Sequence, residues 1–571
     1  MFVSDWLIKA FAKISLNHLF LVPGGEVDPF VIALGKQQKL KAIVACHEEG
    51  AGFMADGYAR ISENGMGVSM TIGAPGAGNS IPAALAASSD GSSVLFITGG
   101  SPLPKMGLAT FQETDEDGTN DSRLFSQVVQ FSRTIVEENE FPRVLQETLK
   151  HMRNYSAGPA HISVPVDIQQ RNIDSDVCVI APPRLRSVDI EKARSVATEL
   201  LSKKKKIAFL IGRGAKLSHA KESLLEFIET FEIPFATTAS AKGFLPEDHP
   251  LALGMFGYAG NQRAIRTFIE EEIEAIFILG SSLNQRDTLF WDKTLANKKI
   301  LIQVDSNPLM IGHNYPVNDH ILADVNALFQ FWNNEKLNLF KELAASVPER
   351  KDFNEKVLQK IPLFYDEQNL SSLEVPIHPA RLISAMNDFL PNDTLLFIDS
   401  GAHRAFADHY WICREKRSVC SATNIGPMGW AIPASIGGKL ASPHQPVVTI
   451  TGDGCMRMHG MEIATAARYH VPVIFVISNN NALGNVYLRM LKENPGAAEI
   501  TKLPHIDWVA FGQTLGANGI RVEDPKDLEN AFKIALKAEG PFIIDVSTSS
   551  TAGTPIAPYQ EAVSQSLRDS T

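Results

Sequence analysis

Two apolar runs in the last third of the chain each stop at a cluster of glycine and polar residues. Residues 447–450 (VVTI) are followed by 451–455 (TGDGC), and residues 473–477 (VIFVI) are followed by 478–481 (SNNN). Short apolar runs of this kind predict buried strands of a parallel sheet. Ligands bind at the carboxyl ends of such strands, so we expect both polar clusters to face one pocket.

The two clusters supply hard oxygen ligands, which Mg²⁺ prefers and commonly combines with phosphate oxygens. Gly452 and Gly454 let the backbone approach a phosphate closely, and a helix expected to begin near Met461 would offer it unpaired N–H groups. Alone, a Gly-Asp-Gly sequence is more typical of a turn that ends a strand. The second strand with its asparagines makes a metal site the better interpretation.

Composition limits the classes of partner and the cellular compartment. The chain has 571 residues, a net charge of −11 and 20% charged residues, which argues against nucleic-acid or anionic-membrane partners. Its five cysteines are scattered without CxxC spacing, so neither a disulfide framework nor zinc is expected. The N-terminal pattern does not resemble a signal peptide, and no apolar run reaches membrane-spanning length. We therefore predict a cytoplasmic protein that is not bound to a membrane.

Apolar strand-like runs alternate with helical patterns along most of the chain, which predicts an α/β protein of three domains, each a parallel sheet flanked by helices. The first and third domains are expected to share one plan. The predicted segments are a first domain over 1–175, a central domain over 185–335, a helical linker over 336–376, a third domain over 377–550 and a tail over 551–571.

The spacing of the two polar clusters resembles the thiamine diphosphate motif, and the three-domain plan resembles the enzymes that use this cofactor. The resemblance covers nearly the whole chain and is strongest to the acetolactate synthase (acetohydroxyacid synthase, pyruvate oxidase-like) branch. It implies pyrimidine-binding, central nucleotide-domain-like and diphosphate-binding domains, in that order. It also implies that Mg²⁺ binds to Asp453, Asn480 and the backbone oxygen of Ala482.

Residues 47–51 (HEEGA) and 54–60 (MADGYAR) resemble the family's catalytic glutamate segment, at the end of a strand and the start of an amphipathic helix. The resemblance implies that Glu48 is the acid at N1′ of the cofactor pyrimidine. There it would promote the imino tautomer, whose N4′ accepts the proton of C2. Taken alone, a glutamate at this position is more often an acid favoured by the helix dipole.

Four further segments resemble cofactor-binding loops of the family. Residues 71–79 (TIGAPGAGN) resemble its Gly-Pro-Gly-Ala-Thr-Asn loop, with Asn79 expected to open a helix. Residues 424–430 (NIGPMGW) resemble the segment that holds the cofactor bent, through the carbonyl of Gly426 and the side chain of Met428. Residues 399–404 (DSGAHR) resemble a diphosphate-contacting stretch, and 23–25 (PGG) a pocket turn. With the metal motif, the implied cofactor-binding residues are Gly24, Pro75, Asn79, Gly401, His403, Gly426, Met428, Gly452, Asp453, Gly454, Cys455, Asn480, Ala482, Leu483 and Gly484.

The resemblance also implies a substrate pocket formed by Gly25, Phe111, Gln130 and Arg489, with Gln112 as a catalytic residue that reaches the site from a neighbouring subunit. Acetolactate synthases usually carry Lys where Gln130 falls and Trp near Arg489. A guanidinium in place of an aromatic ring favours a substrate with an additional anionic group, unless Arg489 simply faces solvent.

The implied activity is thiamine diphosphate- and Mg²⁺-dependent decarboxylation of a small 2-oxo acid with carboligation, by a homodimer or homotetramer with active sites between subunits. A simple 2-oxo acid decarboxylase or a 2-hydroxyacyl-CoA lyase is the alternative that Gln130 and Arg489 favour. An inactive, cofactor-binding regulatory subunit is a third possibility, against which the intact Glu48 and Asp453 argue. The central domain keeps a nucleotide-site outline at 212–214 and departs from the family's flavin segment at 280–286, so bound FAD or ADP stays open.

Overall fold

The computed structural model describes residues 1–114, 118–153, 157–180, 186–201, 204–271, 273–297 and 299–556. Residues 557–571 of the predicted C-terminal tail lie outside this range. The chain forms two compact units. Of the described residues, the first unit comprises those within 1–180, 394–403 and 420–550, and the second comprises those within 186–393, 404–419 and 551–556.

Three six-stranded parallel sheets form the framework, as the sequence predicts. The strands of the first sheet are β1 His18–Leu21, β2 Lys41–Val44, β3 Gly67–Thr71, β4 Val94–Gly100, β5 Ser132–Thr134 and β6 Ala160–Pro165. Those of the second are β7 Ile207–Ile211, β8 Phe235–Thr237, β9 Ala252–Met255, β10 Ala275–Leu279, β11 Ile300–Asp305 and β12 Asp319–Leu322. Those of the third are β13 Leu395–Ile398, β14 Ser418–Ser421, β15 Val447–Gly452, β16 Val473–Asn479, β17 Asn518–Val522 and β18 Phe542–Ser547.

The first and third sheets share one topology. Their strand orders are β2-β1-β3-β4-β6-β5 and β14-β13-β15-β16-β18-β17, whereas the second sheet runs β12-β11-β10-β7-β8-β9. The shared plan confirms the prediction for the first and third domains. In both sheets, the second strand of the chain lies on one side of the first strand, and the third strand lies on the other side. This reversal of strand order opens a crevice at the strand ends, where α/β proteins bind ligands.

Helices cover the sheets, and the apolar central strands are buried on both faces. In the first third of the chain they are α1 Val3–Lys13, α2 Asp28–Gly35, α3 Glu48–Ile61, α4 Pro75–Ser89, α5 Asp121–Ser126, α6 Phe141–Met152 and α7 Val166–Gln169. The middle of the chain forms α8 Ile190–Val196, α9 Arg213–Leu217, α10 Lys221–Phe231, α11 Gln262–Ile269, α12 Val325–Leu339, α13 Lys341–Ala345, α14 Val347–Lys360 and α15 Pro379–Phe389. The last third forms α16 Ala402–Tyr410, α17 Ala431–Ala441, α18 Asp453–His459, α19 Ile463–Arg468, α20 Gly484–Glu493, α21 Pro495–Glu499, α22 Trp508–Thr514 and α23 Leu528–Ala535. The predicted domain boundaries stay predictions.

Helices α3 and α17 fix the first sheet against the third within the first unit, because two glycines let their backbones meet. A Cβ on Gly57 would lie 1.9 Å from the carbonyl oxygen of Ala434. A Cβ on Gly437 would lie 1.9 Å from the carbonyl oxygen of Met54. Only glycine fits at either contact.

Two helix starts differ from those that the sequence analysis expected. The helix placed near Met461 is preceded by α18, which starts at Asp453 directly after the extended Gly452. The helix expected to open at Asn79 opens at Pro75, whose fixed φ and missing N–H suit a first helical position. No helix in the described ranges is long and apolar enough to cross a membrane.

Candidate active site

The crevice of the third sheet is organised by a buried carboxylate that the sequence analysis did not single out. Asp399 follows β13, and its two oxygens accept the N–H of Gly429 at 2.9 Å and the hydroxyl of Thr451 at 2.9 Å. Burial raises the pKa of Asp399 to about 6. The side chain therefore ties the end of β13 to β15 and to the glycine-rich 424–430 segment. An acid immediately after a strand at the reversal point is the signal that could have identified it.

Asp453 carries the clearest indication of a ligand. Its side chain is 2% exposed, the backbone N–H of Asn480 donates to it, and its Oδ2 has no hydrogen-bond partner among the described residues. Burial raises the pKa of this carboxyl to about 6. A buried carboxylate oxygen without a partner is costly unless a cation or donor meets it. The structure thus leaves an anionic oxygen available for a metal ion.

The loop after β16 brings the other two predicted ligands next to Asp453. Asn480 Oδ1 accepts the N–H of Ala482 at 3.2 Å, and Ala482 pairs with Lys502 in an isolated bridge. A carboxylate, an amide oxygen and a backbone carbonyl form a donor set of the kind that Mg²⁺ takes. Among the described residues, no group of three or more His, Cys, Asp or Glu side chains offers an alternative metal site.

Glycines clear a cradle beside these ligands. A Cβ on Gly454 would lie 3.0 Å from Cδ2 of Leu483 and 3.1 Å from Cε of Met428, so both apolar side chains face this point. Similarly, a Cβ on Gly452 would lie 3.1 Å from the ring of His403. The predicted residues of three loops therefore converge at one edge of the third sheet.

Two further predicted cofactor-binding positions have local structural roles in this cradle. The thiol of Cys455 donates to the carbonyl oxygen of Ser400 at 3.0 Å, and burial raises its pKa well above the ordinary range. A thiol held neutral in this way is not a nucleophile. In the turn after β16, a Cβ on Gly484 would lie 2.9 Å from Nδ2 of Asn480, so the next helix can start close to that side chain.

The first sheet holds a second cluster around Glu48, at the start of α3. His47 caps the helix by accepting the N–H of Glu49 at its Nδ1, and Asn79 Nδ2 donates to Glu48 Oε2 at 3.0 Å. The sequence analysis assigned both Glu48 and Asn79 to the site, and the structure brings them together. It does so because α3 and α4 start at the same edge of the sheet.

Two acids missed by the sequence analysis hold the loop that leads to Asn79. Glu26 Oε2 accepts the N–H of Gly73 at 2.9 Å, and Asp121 Oδ1 accepts the N–H of Ala74 at 3.1 Å. Ala74 has a φ of +42°, which is strained for a residue with a side chain. The carboxylates therefore fix an unfavourable turn, just before α4 begins at Pro75.

Three comparisons of domain families match this architecture. Residues 1–120 match the family "Thiamine pyrophosphate enzyme, N-terminal TPP binding domain". Residues 195–331 match the central domain of the same enzymes, and residues 399–546 match their C-terminal TPP binding domain. The chain belongs to the thiamine pyrophosphate enzyme family. Both TPP binding domains thus coincide with the two clusters described above, and the chain is that of a thiamine pyrophosphate-dependent enzyme.

Relatives that align along nearly the whole chain confirm the resemblance to the acetolactate synthase branch. A protein of Methanococcus aeolicus named "Probable acetolactate synthase large subunit" is 29% identical over 97% of this chain and 93% of its own length. The acetolactate synthase large subunit of Porphyra purpurea is 27% identical over 94% of this chain and 90% of its own length. A glyoxylate carboligase of Escherichia coli O157:H7 is 28% identical over 93% of this chain and 90% of its own length.

The predicted pocket residues lie on the surface of this single chain. Phe111 is 89% exposed, and Gln112 follows it with a φ of +59°. Gln130 and Arg489 are also exposed, the latter on α20. Among the described residues, no hydrogen bond joins Glu48, Phe111 or Gln112 to the cluster of the third sheet. The assignment of these four residues to a substrate pocket stays a prediction.

Glycines at the ends of β7 and β10 lie close together in the second unit. Gly214 N–H donates to the carbonyl oxygen of Gly280 at 2.8 Å, and Gly280 has a φ of +67°. Asp305, at the end of β11, has a pKa raised to about 6 by burial. The binding of FAD or ADP to this domain stays a prediction.

Proposed function

We propose that this thiamine pyrophosphate-dependent enzyme decarboxylates a 2-oxo acid and joins the remaining acyl fragment to a second carbonyl compound, as an acetolactate synthase-like enzyme. The observation that supports it most directly is the unpaired Oδ2 of Asp453 beside Asn480, at the ligand-binding crevice of the third sheet. The names of the relatives above, including one carboligase, support carboligation over simple decarboxylation.

Asp453, the side chain of Asn480 and the carbonyl of Ala482 would hold Mg²⁺, and through it the diphosphate. When bound, thiamine diphosphate supplies the nucleophilic carbon and the electron sink for loss of CO₂. Gly452 and Gly454 would leave space for the diphosphate, since any Cβ there would meet neighbouring side chains. Met428 would support the cofactor rings from the position it occupies opposite Gly454.

Glu48 would hold a proton at N1′ of the pyrimidine. Asn79 orients its carboxyl group through the 3.0 Å hydrogen bond, and the cap by His47 fixes the first turn of α3. Because no hydrogen bond among the described residues joins Glu48 to Asp453, Asn480 or Ala482 in one chain, we propose that the active enzyme is a homodimer or homotetramer. Glu48 and the Phe111-Gln112 loop would then serve the metal site of a partner subunit.

The substrate is a small 2-oxo acid, and the exposed Arg489 favours one with an additional anionic group. The test is a screen of 2-oxo acids for CO₂ release, with and without acceptor 2-oxo acids or aldehydes. Formation of a longer hydroxy-ketone product supports the proposal. Release of the free aldehyde alone supports the decarboxylase alternative, and turnover only with a 2-hydroxyacyl-CoA supports the lyase. A complete lack of turnover, with cofactor still bound, supports a regulatory subunit.

Asp453→Ala tests the metal site. We expect saturable binding of thiamine diphosphate at millimolar Mg²⁺ to disappear in calorimetry, because the anionic metal ligand is gone. Asp527→Ala, which removes an exposed acid of the same unit, is the matched control and should bind as wild type does. Tight binding by the Asp453 variant would show that the metal motif is assigned wrongly.

A further inference from the structure

Residues 424–429 carry Gly426 and Met428, and a buried polar network holds this segment at both ends. At the leading end, Asp90 accepts the N–H of Thr423 at 3.0 Å, the hydroxyl of Thr423 at 3.0 Å and the N–H of Asn424 at 3.2 Å. The side-chain amide of Asn424 also donates to Asp90 at 3.0 Å. Asp90, which follows α4, is 4% exposed, so these bonds form away from solvent.

The trailing end of the segment is held by a second carboxylate. Trp430 is 1% exposed, and its indole N–H donates to Asp56 Oδ2 at 2.8 Å. Asp56 lies within α3 and is fully buried. The residue after the segment is therefore fastened to the helix that begins with Glu48.

Arg60 connects the two carboxylates that anchor the segment, Asp90 at its leading end and Asp56 at its trailing end. Its guanidinium donates to both oxygens of Asp56 at 2.8 and 2.9 Å, to Asp90 Oδ2 at 3.0 Å and to the carbonyl of Ser421 at 3.0 Å. It also lies 4.8 Å from the centre of the Trp430 ring. The two acids raise the pKa of Arg60 against the opposing effect of burial, so the group stays charged. Charge-assisted bonds of this geometry are among the stronger ones in proteins.

The segment between the anchors depends on this support. Gly426 and Gly429 have φ values of +61° and +86°, and Asn424 and Ile425 are exposed. Glycines in this region restrict the backbone little, so its path has to be set from outside. Asp90 and Asp56 fix this backbone path, which places Cε of Met428 opposite Gly454.

We infer that Asp56, Arg60 and Asp90 are positioning residues, which hold residues 424–429 in the conformation that presents Gly426 and Met428 to the cofactor. The inference rests on the proposed cofactor role of this segment. Helix α3 would then have two functions. Its first residue is the proposed catalytic acid, and its last turns hold the segment that contacts the cofactor.

Hydrogen–deuterium exchange of the cofactor-free protein tests the positioning without reference to activity. Asp90→Asn replaces a carboxylate that accepts the five hydrogen bonds described above, and Trp430→Phe removes only the indole donor while keeping a ring. In both variants the peptide covering residues 421–430 should exchange faster than in wild type. Glu247→Gln, which alters a buried ion pair with Lys242 in the second unit, is the matched control and should leave this peptide unchanged. Wild-type exchange in both variants would overturn the inference.

A second measurement separates positioning from binding. We expect Asp90→Asn and Trp430→Phe to bind thiamine diphosphate and Mg²⁺ with nearly unchanged affinity, since the metal ligands are elsewhere. Exchange of the C2 proton, followed by NMR, should slow by up to about 10²-fold, as for a misplacement of about 1 Å. Slow exchange in Met428→Ala, with normal rates in the two network variants, would contradict the positioning role and leave the proposed function intact. Normal exchange in Met428→Ala would instead overturn the cofactor role of the segment itself.

Discussion

Glu48 is the residue on which proton transfer depends in the proposed function. Glu48→Gln keeps the shape of the side chain and can still accept from Asn79, but it cannot give a proton to the pyrimidine. We expect normal cofactor binding and C2-proton exchange slowed by about 10²–10⁴-fold, the usual contribution of a general acid or base. Glu49→Gln, one position further along the same helix start, is the control. If the two variants exchange at equal rates, Glu48 is only a helix-start acid.

Asp121 gives the first sheet a pH-dependent stability. Burial raises its pKa to about 7 in the folded chain, whereas an unfolded Asp titrates near 3.9. The native state therefore binds more protons between these values, and stability falls as pH rises from about 4 to about 7. Relative to Asp121→Asn, the free energy of unfolding of wild type should drop by about 2–3 kcal/mol between about pH 5 and about pH 8.

Urea unfolding at the two pH values measures this difference, and Asp28→Asn, an exposed acid on α2, is the control. Parallel changes in wild type and Asp121→Asn would contradict the prediction. Asp121 and Glu26 escaped the sequence analysis because they belong to no short motif, and Asp399 was not singled out within the 399–404 motif that contains it. They became visible only when the fold brought them to backbone N–H groups far away in sequence.

At the level of elements, the buried strands were the most predictable feature of the chain. A parallel strand covered on both faces is a continuous apolar run, so β15 and β16 could be identified directly from residues 447–450 and 473–477. Helix starts were less predictable. The sequence of α18, DGCMRMH, has no apolar periodicity, and its start at Asp453 is set by the end of β15 and not by a cap residue.

Helix α20 tests the prediction about the substrate. It starts at Gly484, directly after the proposed metal ligands, and carries Arg489 on an exposed face. Arg489→Leu should lower kcat/KM for a 2-oxo acid with an anionic tail by a factor that corresponds to about 1.5–3 kcal/mol, the range for hydrogen bonds to charged groups. The kcat/KM for a neutral substrate of equal length should stay unchanged. Lys492→Leu removes another cation from the same helix and is the control. Equal losses on both substrates would show that Arg489 makes no contact with the anionic tail.

For the whole molecule, the arrangement of Glu48 and Asp453 raises the question of which chain each active site draws on. Both residues lie in the first unit, but on different sheets. The N–H of His47 donates to Glu462 at 3.1 Å, yet no hydrogen bond among the described residues joins Glu48 itself to Asp453 or Asn480. The close contact of α3 with α17 fixes the two sheets in one chain. We therefore propose that Asp453 of a second chain completes each site with Glu48.

Hybrid dimers test this directly. Chains carrying Glu48→Gln and chains carrying Asp453→Ala, each with its own affinity tag, are produced together, and the mixed dimer is isolated. If every site combines Glu48 of one subunit with Asp453 of the other, one site of the hybrid carries both substitutions and the other carries neither. The hybrid should then regain about half of the wild-type activity, although both parent homodimers are nearly inactive. If each site used residues of a single chain, both sites of the hybrid would lack one group, and the hybrid would be as inactive as its parents.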